Sequence, residues 1–533
     1  MSPKTPGDGN LASSKPAAGK TLEALGLDRL LRLGPPVPAD LRIASLAVDS
    51  RRSGPGALFA ALRGVAQDGG AFTESAIAQG AVAVLCDLQS AVLARETLGA
   101  WSVPFLVAEN PRKALAEAAA RFYRAQPSVT AAVTGTNGKT SVATFTRRIW
   151  AHLGRPAANF GTTGVFAENL PTGPLERGLS HTTPEPVSLH ALLMELESLG
   201  VSHAAMEASS HGLAQHRLDG VRLAAAAFTN LTRDHYDYHR TPQEYAAAKL
   251  RLFAEALDAD GVAVANADDP LFPAIEQIAR ARGIRLIGYG RDADESGLKL
   301  VAQDAHLGGQ TLRIAHGGRR HIVELSVVGQ FQGWNALAAA GLALGTGETA
   351  EDAIGAIGAL TGVPGRMELA ARRANGAGVF VDYAHTPDAL RTALEALRAH
   401  TPGRLHVVFG AGGDRDPGKR PLMGRAAAES ADRLVVTDDN PRSEDPGKIR
   451  VQVIAGALQV AEFSDRTGVA EVGDRAEAIL RGVDGLEPGD ALLIAGKGHE
   501  SGQEVAGETL PFDDVEQARA AVAALDGPEA LES

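Results

Sequence analysis

The sequence predicts an α/β protein of about three domains with mostly parallel sheets. Three observations carry this. Short β-type runs alternate with Ala- and Leu-rich helical stretches almost to the C-terminus. Those β-type runs are continuously apolar, as strands buried on both faces are. The 533 residues exceed what one domain usually holds, roughly 100–200 residues. In chain order the clearest strands are Val129–Thr134, Leu223–Asn230, Gly378–Asp382, His406–Gly410, Arg433–Thr437 and Ala491–Ala495. The clearest helices are Pro111–Arg124, Val142–Leu153 and Ala350–Leu360. Residues 1–20 are rich in Pro, Gly, Ser, Ala and Lys without periodicity, and read as a disordered tail. Boundaries near Ala125–Pro127 and Gly362–Gly365 then divide the chain into 21–126, 127–363 and 364–533.

Composition narrows the function classes. The chain carries 52 Lys+Arg against 64 Asp+Glu, a formal charge of −12. A general nucleic-acid binder would want a basic surface that displaces counterions, so none is expected. A local basic pocket for an anionic small molecule is still compatible with this balance. The hydrophobic fraction of 44% is ordinary for globular chains and argues against disorder throughout. Cys86 is the single cysteine, which rules out an internal disulfide framework and a multi-cysteine metal site. It follows the apolar run Ala81–Leu85, so a buried strand thiol is expected. No run reaches the roughly 18 apolar residues that span a bilayer. No apolar stretch follows Lys4 to make a signal peptide. The expectation is a cytoplasmic monomer with no membrane or nucleic-acid partner.

The strongest local signal is Val133-Thr-Gly-Thr-Asn-Gly-Lys-Thr-Ser141, between a β-type run and a helix-prone stretch. Gly135 and Gly138 let backbone N–H groups around Thr136 and Asn137 approach phosphate oxygens, and the helix N-terminus adds a positive dipole end. Lys139 can reach the β- and γ-phosphates, and the Thr140 hydroxyl can ligate Mg2+; Ser141 completes the motif. The general phosphate loop has four residues between its glycines, and this variant has two. An ordinary glycine-rich βα turn is the alternative; the order of strand, Gly-Lys-Thr and helix favours nucleotide binding.

Downstream, Met206-Glu-Ala-Ser-Ser-His-Gly-Leu-Ala-Gln-His-Arg217 follows the apolar run Ala204–Met206. Glu207 then stands at a strand end, where its carboxylate can face Mg2+ at the phosphate loop. In Asn230-Leu-Thr-Arg-Asp-His-Tyr-Asp-Tyr-His239, His235 and His239 are four apart. A helical zinc-protease pair needs Glu directly after the first histidine; Tyr236 stands there, so that chemistry is disfavoured. His235 follows a strand among polar residues and is a candidate on the metal side. Lys249, in Tyr245-Ala-Ala-Ala-Lys249, reads on sequence physics alone as a solvated helix lysine.

Together these motifs resemble those of the Mur ligases, ATP-dependent amide-bond synthetases of peptidoglycan assembly. The match covers nearly all of the chain after residue 20. It runs through Thr134-Gly-Thr-Asn-Gly-Lys-Thr140, Glu207, the Asp234-His235 region, Lys249, Gly329–Asn335, Gly365-Arg366 and Asp382-Tyr-Ala-His-Thr-Pro387. The resemblance implies a three-domain Mur ligase architecture with a central P-loop ATPase-like domain and a Rossmann-like C-terminal domain. Residues 21–126 would bind a UDP-linked substrate, 127–363 ATP, and 364–533 the incoming amino acid. ATP and Mg2+ are the implied cofactors. ATP would phosphorylate a carboxylate, and an amine would then attack the acyl phosphate. Phosphoryl transfer chiefly needs positioning and charge neutralisation. By the resemblance, Lys139, Glu207, His235 and Lys249 carry the chemistry. Thr140, Glu207, His235 and a carbamylated (N6-carboxylated) Lys249 would hold metal, the last as an oxygen ligand suited to Mg2+. By the same resemblance, Asn335, Arg366 and Asp388 would contact adenine and ribose.

Within the family the chain looks like members that add meso-2,6-diaminopimelate to UDP-N-acetylmuramoyl-L-alanyl-D-glutamate. Val48-Asp-Ser-Arg51, Pro55-Gly-Ala-Leu-Phe59 and Gly64-Val-Ala-Gln-Asp-Gly69 resemble the UDP-binding pattern, which puts Val48, Ser50, Val65, Ala66 and Gln67 at the uridine end. Thr182, Thr183, Ser209, Gln215 and Arg217 would hold the peptide side, where a guanidinium fork suits a carboxylate or phosphate. A plain loop leading into a helix is the alternative for Thr182-Thr183-Pro184.

Three loops of the last domain leave strand ends, where open α/β sheets bind ligands. They are Gly410-Ala-Gly-Gly-Asp-Arg-Asp416, Asp439-Asn-Pro-Arg442 and Gly496-Lys-Gly-His-Glu500. Arg415 takes the place of a third glycine, so a dinucleotide fingerprint fails. The loops resemble those that select diaminopimelate. Arg415 and Arg442 would pair with its distal carboxylate and Glu500 with its distal ammonium, beside Asp439, Asn440, Pro441 and Gly496. A buried unpaired arginine would penalise lysine. Gln332 in place of Asn and Tyr236 in place of Leu depart from the family pattern without removing a charge or metal ligand. Two rivals, a lysine-adding member and a folylpolyglutamate synthetase relative, are opposed by Asp439–Arg442 and the full N-terminal domain. A noncatalytic ATP-binding protein is opposed by intact Lys139, Glu207, His235 and Lys249.

Overall fold

The computed structural model describes residues 19–64, 67–179, 181–232, 234, 238–306, 309–461 and 468–531. The chain forms two compact units. One is Met1–Leu298 with Ala338–Ala353, the other Lys299–Leu337 with Ile354–Ser533.

The first unit begins with a small sheet of β1 (Leu31–Leu33), β2 (Ser45–Ala47), β3 (Ala57–Ala61), β4 (Ala81–Cys86) and β5 (Phe105–Val107), in the order β1-β5-β4-β3-β2. All pairs are parallel except β1 with β5. Every residue of β3 is buried, as expected for a strand covered on both faces. Cys86 is buried at the end of β4, and burial pushes its thiol up to about 12. The helix Pro111–Tyr123 starts on an Asn110 cap with Pro at its first turn and ends where Arg124 turns left-handed at φ 63. Lys20, which composition assigned to the tail, pairs with Ile43 through the backbone.

A second sheet of this unit holds β6 (Val129–Thr134), β7 (Ala157–Gly161), β8 (Gly164–Glu168), β9 (Leu175–Arg177), β10 (His203–Glu207), β11 (Ala225–Phe228), β12 (Val262–Asn266) and β13 (Arg285–Gly290). Their order is β13-β12-β11-β6-β10-β7-β8-β9. It is parallel from β13 to β7 and antiparallel through β8 and β9. β11 is shorter than the 223–230 run. Thr229 and Asn230 leave the strand because their side chains brace the neighbouring loop. The helix expected at 142–153 begins three residues earlier, at Lys139.

The second unit carries an antiparallel ribbon of β14 (Leu298–His306), β15 (Gly309–His316) and β16 (Arg319–Leu325). Its main sheet has β17 (Glu368–Arg372), β18 (Gly378–Asp382), β19 (Leu405–Phe409), β20 (Arg433–Val436), β21 (Gly468–Glu471) and β22 (Ala491–Ala495) in the order β17-β18-β22-β19-β20-β21. Only β17 is antiparallel. A hairpin of β23 (Gly502–Val505) and β24 (Glu508–Pro511) follows. Side chains alternate faces along the strands. Phe380, Val407, Phe409 and Leu493 pack with the helices Pro387–Arg398 and Lys419–Ser430 on one side. Val379, Val381, Val408, Leu492 and Ile494 pack with Arg475–Asp484 and Asp514–Asp526 on the other. The helix expected at 350–360 is α-helical only over Ala350–Gly355 and tightens to a 3-10 turn over Ala356–Ala359.

Candidate active site

Strands β6, β10 and β11 end level: Val133 pairs with Glu207 on one side and Ala227 on the other. The loop 135–138 leaves this edge, and the helix Lys139–His152 starts at once on Gly138, at φ 85. Gly135 has φ 151, and a Cβ there would lie 1.8 Å from Thr229 Oγ1. Only glycine lets the backbone pass so close. Asn137 N–H donates to Asn230 Oδ1 at 3.0 Å, and Thr229 Oγ1 donates to the Asn137 carbonyl at 2.6 Å. Thr136, Thr140 and Ser141 are buried around this turn. Lys139 Nζ donates to the carbonyls of Gly135 and Thr136, both at 2.9 Å.

Glu207 is buried beside the loop. Its carboxylate accepts from Thr140 Oγ1 at 3.0 Å, Thr162 N–H at 2.8 Å and Thr162 Oγ1 at 3.1 Å. Thr162 Oγ1 in turn meets Thr182 Oγ1 at 3.0 Å. The Thr140 hydroxyl and Glu207 carboxylate are adjacent hard oxygen donors, and such donors fit Mg2+, which takes few carboxylates plus phosphate oxygens and water. Among the described residues no group of three or more His, Cys, Asp and Glu gathers as a metal site. His235 lies outside the described residues, as do Val65 and Ala66.

Lys249 is 1% exposed, which overturns the solvated lysine of sequence physics. Its Nζ donates to the Gly135 carbonyl at 2.7 Å, the oxygen that also takes Lys139. The Tyr245 ring centroid lies 4.4 Å from Nζ, and the Tyr245 hydroxyl meets Thr136 Oγ1 at 3.1 Å. Burial, then the Lys139 charge, holds the Lys249 amine well below its ordinary value; Asp234 pulls the other way.

The peptide-side candidates come together next to Glu207. Thr183 Oγ1 donates to the Glu207 carbonyl at 2.8 Å and accepts from Ser209 N–H at 3.0 Å. Ser209 caps the turn Ser210–Ala214. Arg217 donates to the Thr183 carbonyl at 2.6 Å and to Gln215 Oε1 at 3.0 Å. Sequence reasoning missed Arg112, which reaches the Arg63 carbonyl at 2.5 Å and Gln215 Oε1 at 3.5 Å. The Asn110-Pro111 cap signal places Arg112 in a first helical turn, but nothing in the spacing tells what it faces. Ser50 is buried at the start of the turn Ser50–Arg52. Val48 packs at the edge of the first core. Gln67 is exposed, its carbonyl bound by Gly64 N–H at 2.8 Å.

In the second unit, loops 439–442 and 496–500 meet. Asn440 Nδ2 donates to Glu500 Oε2 at 2.9 Å, and Lys497 Nζ donates to Asn440 Oδ1 at 3.0 Å. Lys497, fully buried, was not singled out from the sequence. Gly496 has φ 122, and a Cβ there would lie 2.2 Å from Asp439 Oδ2. Arg442 is left-handed at φ 53. Its Nε donates to Glu504 Oε2 at 2.6 Å and its Nη1 to the Gly413 carbonyl at 2.8 Å. A quarter of its side chain is exposed, so it is not the buried unpaired arginine of the sequence argument. The Pro441 carbonyl accepts from Glu444 N–H at 3.1 Å. Arg415 is exposed; a Cβ on Gly412 would lie 3.0 Å from Arg442 Nη1 and 3.8 Å from Arg415 Cγ. Asn335 Nδ2 donates to Gln332 Oε1 at 2.8 Å. The Arg366 guanidinium lies 4.7 Å from the Tyr383 ring centroid. Asp388 is exposed in a first helical turn, 3.7 Å from Arg391.

This fold and loop define a nucleotide-binding α/β protein of the P-loop type. Three family models match it in chain order. They are the Mur ligase family catalytic domain over residues 42–123, the Mur ligase middle domain over 133–343, and the Mur ligase glutamate ligase domain over 365–498. A UDP-N-acetylmuramoyl-L-alanyl-D-glutamate--2,6-diaminopimelate ligase of Bradyrhizobium diazoefficiens is 49% identical over 490 residues, covering 92% of this chain and 96% of that protein. The protein of the same name from Agrobacterium fabrum is 50% identical over 487 residues, covering 91% and 94%. A solved structure of a ligase so named is 34% identical with a TM-score of 0.66, over 92% of this chain and 98% of that one. The chain belongs to the Mur ligase family.

Proposed function

We propose that this protein is an ADP-forming ligase that adds meso-2,6-diaminopimelate to UDP-N-acetylmuramoyl-L-alanyl-D-glutamate in cytoplasmic peptidoglycan precursor synthesis. The observation that carries the reading is the Glu207 carboxylate held 3.0 Å from Thr140 Oγ1 at the phosphate loop, in a chain half identical to proteins named for this reaction. Loop N–H groups and Lys139 bind the ATP phosphates. Thr140 and Glu207 would hold Mg2+, which when bound neutralises charge on the transferring phosphoryl group. The lowered pKa of Lys249 favours its neutral amine, the form that can take up carbon dioxide, and supports the carbamate reading. Thr183, Gln215 and Arg217 orient the substrate so that its terminal carboxylate faces the γ-phosphate. Phosphate is then a far better leaving group than oxide when the amine attacks.

Arg442 and Arg415 would take the distal carboxylate of diaminopimelate, and Glu500 its distal ammonium. Because Arg442 already pairs with Glu504, lysine is disfavoured by a bond it fails to make more than by a stranded charge. Among the described residues no helix is long and apolar enough to cross a membrane. The test is an amine screen with the UDP-dipeptide. Phosphate release should require ATP, Mg2+, the UDP-dipeptide and diaminopimelate together. Full-rate release with ATP alone, or preferential use of lysine, would overturn the reading.

A further inference from the structure

Beneath loops 439–442 and 496–500 lies an ion pair that none of the steps above uses. Arg475 and Asp514 are both fully buried, with 0% of either side chain exposed. Arg475 Nε and Nη2 donate to the two Asp514 oxygens at 2.8 and 2.7 Å. The rest of the guanidinium goes to the main chain: Nη1 to the Asp438 carbonyl at 3.3 Å and Nη2 to the Ala495 carbonyl at 3.0 Å. Asp438 immediately precedes the loop of Arg442, and Ala495 immediately precedes the loop of Glu500. One planar group therefore ties the bases of both loops.

Stability alone gives no reason for this arrangement. A buried ion pair replaced by apolar residues of like volume is often neutral or stabilising. Arg475 also opens the helix Arg475–Asp484, where the helix dipole disfavours a cation. The loops themselves leave no slack. A Cβ on Gly496 would lie 2.2 Å from Asp439 Oδ2 and 3.8 Å from Arg475 Nη2. The bonds of Asn440 to Lys497 and Glu500 close the seam above.

We propose that Arg475, oriented by Asp514, is a positioning residue for the incoming amino acid. By bridging the Asp438 and Ala495 carbonyls it sets the spacing between the loop that carries Arg442 and the loop that carries Glu500. The proposal rests on the amino-acid site read above. A selective site for two distant charges needs that spacing fixed, because small misplacement of a binding group is expensive. Lysine at this position would keep a charge opposite Asp514, but a single ammonium lacks the planar fork that serves a carboxylate and two carbonyls at once.

The test uses the full chain as Arg475→Lys and as the double variant Arg475→Met/Asp514→Leu, with circular dichroism and thermal midpoints to establish folding. KM is measured separately for diaminopimelate, ATP and the UDP-dipeptide. The expected result is a rise of about tenfold in the diaminopimelate KM. The other two KM values should stay within about twofold, and the preference over lysine should narrow. A folded variant with unchanged diaminopimelate KM and unchanged preference overturns the proposal; so does a parallel rise in all three KM values. Arg475→Lys retains the buried charge pair and gives the readout should the double variant not fold. The parent protein is screened first against a panel of amino acids. If it uses another one, the diaminopimelate reading fails by itself, and the KM for the amine it does use tests Arg475 independently.

Discussion

Two lysine Nζ atoms converge on one carbonyl oxygen, that of Gly135. Burial, and then the charge of Lys139, holds the Lys249 amine below its ordinary range. The Glu207 carboxylate beside this loop is bonded to both Thr140 and Thr162. Glu207→Gln keeps the shape and removes the charge. Its kcat should fall on the order of 100-fold or more, with the UDP-dipeptide KM little changed, in a phosphate-release assay. An unchanged kcat would remove Glu207 from the metal side. Arg442 and Glu504 give a paired prediction. Arg442→Ala should raise the diaminopimelate KM. Glu504→Gln should lower it by roughly two- to fivefold, because the substrate carboxylate no longer competes with a resident one. The same direction of change in both variants would contradict this account of Arg442.

At the scale of elements, the phosphate loop depends on one close approach. Gly135→Ala should abolish ATP binding measured by calorimetry, since its Cβ would lie 1.8 Å from Thr229 Oγ1. The helix Pro186–Ser198 carries a separate liability. His190 on it is buried, and burial pushes its pKa from 6.5 down to about 4. As pH falls between about 6.5 and 4, the unfolded chain takes up this proton before the folded one. Stability is therefore lost across that window, by on the order of 3 kcal/mol. His190→Gln should flatten the acid limb of an unfolding-midpoint profile there; an identical limb would refute the assignment. The buried parallel strands are readable from short apolar or β-branched runs bounded by turn residues, as in Val129–Thr134 and Ala491–Ala495. The ribbon β14–β16 is not. In Arg319–Leu325 only Val323 and Leu325 are buried, alternating with exposed Ile322 and Glu324, a period of two with no continuous apolar run. Lys249 was illegible on residue physics because burial of a helix lysine is decided by partners far away in sequence, here Gly135. Only the family resemblance points to a role for it.

At the scale of the whole molecule, the candidate residues divide by unit. The phosphate loop, Glu207, Lys249 and Arg217 belong to the first, and Arg415, Arg442 and Glu500 to the second. Activation and amine capture should thus separate genetically. Arg442→Ala should still form ADP in a single turnover with hydroxylamine as the trapping amine, while diaminopimelate addition falls. Loss of both would mean that the two half-reactions share Arg442. The formal charge of −12 cannot attract anionic substrates; in the proposed reading placed cations, Lys139, Arg217 and Arg442, do so locally. Cys86 has a practical consequence. Burial pushes its thiol up to about 12, so the reactive thiolate is scarce at neutral pH, and that sulfur is buried. The natural chain is thus already its own blank for thiol chemistry. A cysteine introduced at an exposed position would be the one sulfur a fluorophore, spin label or crosslinker could reach, with no background residue to delete first.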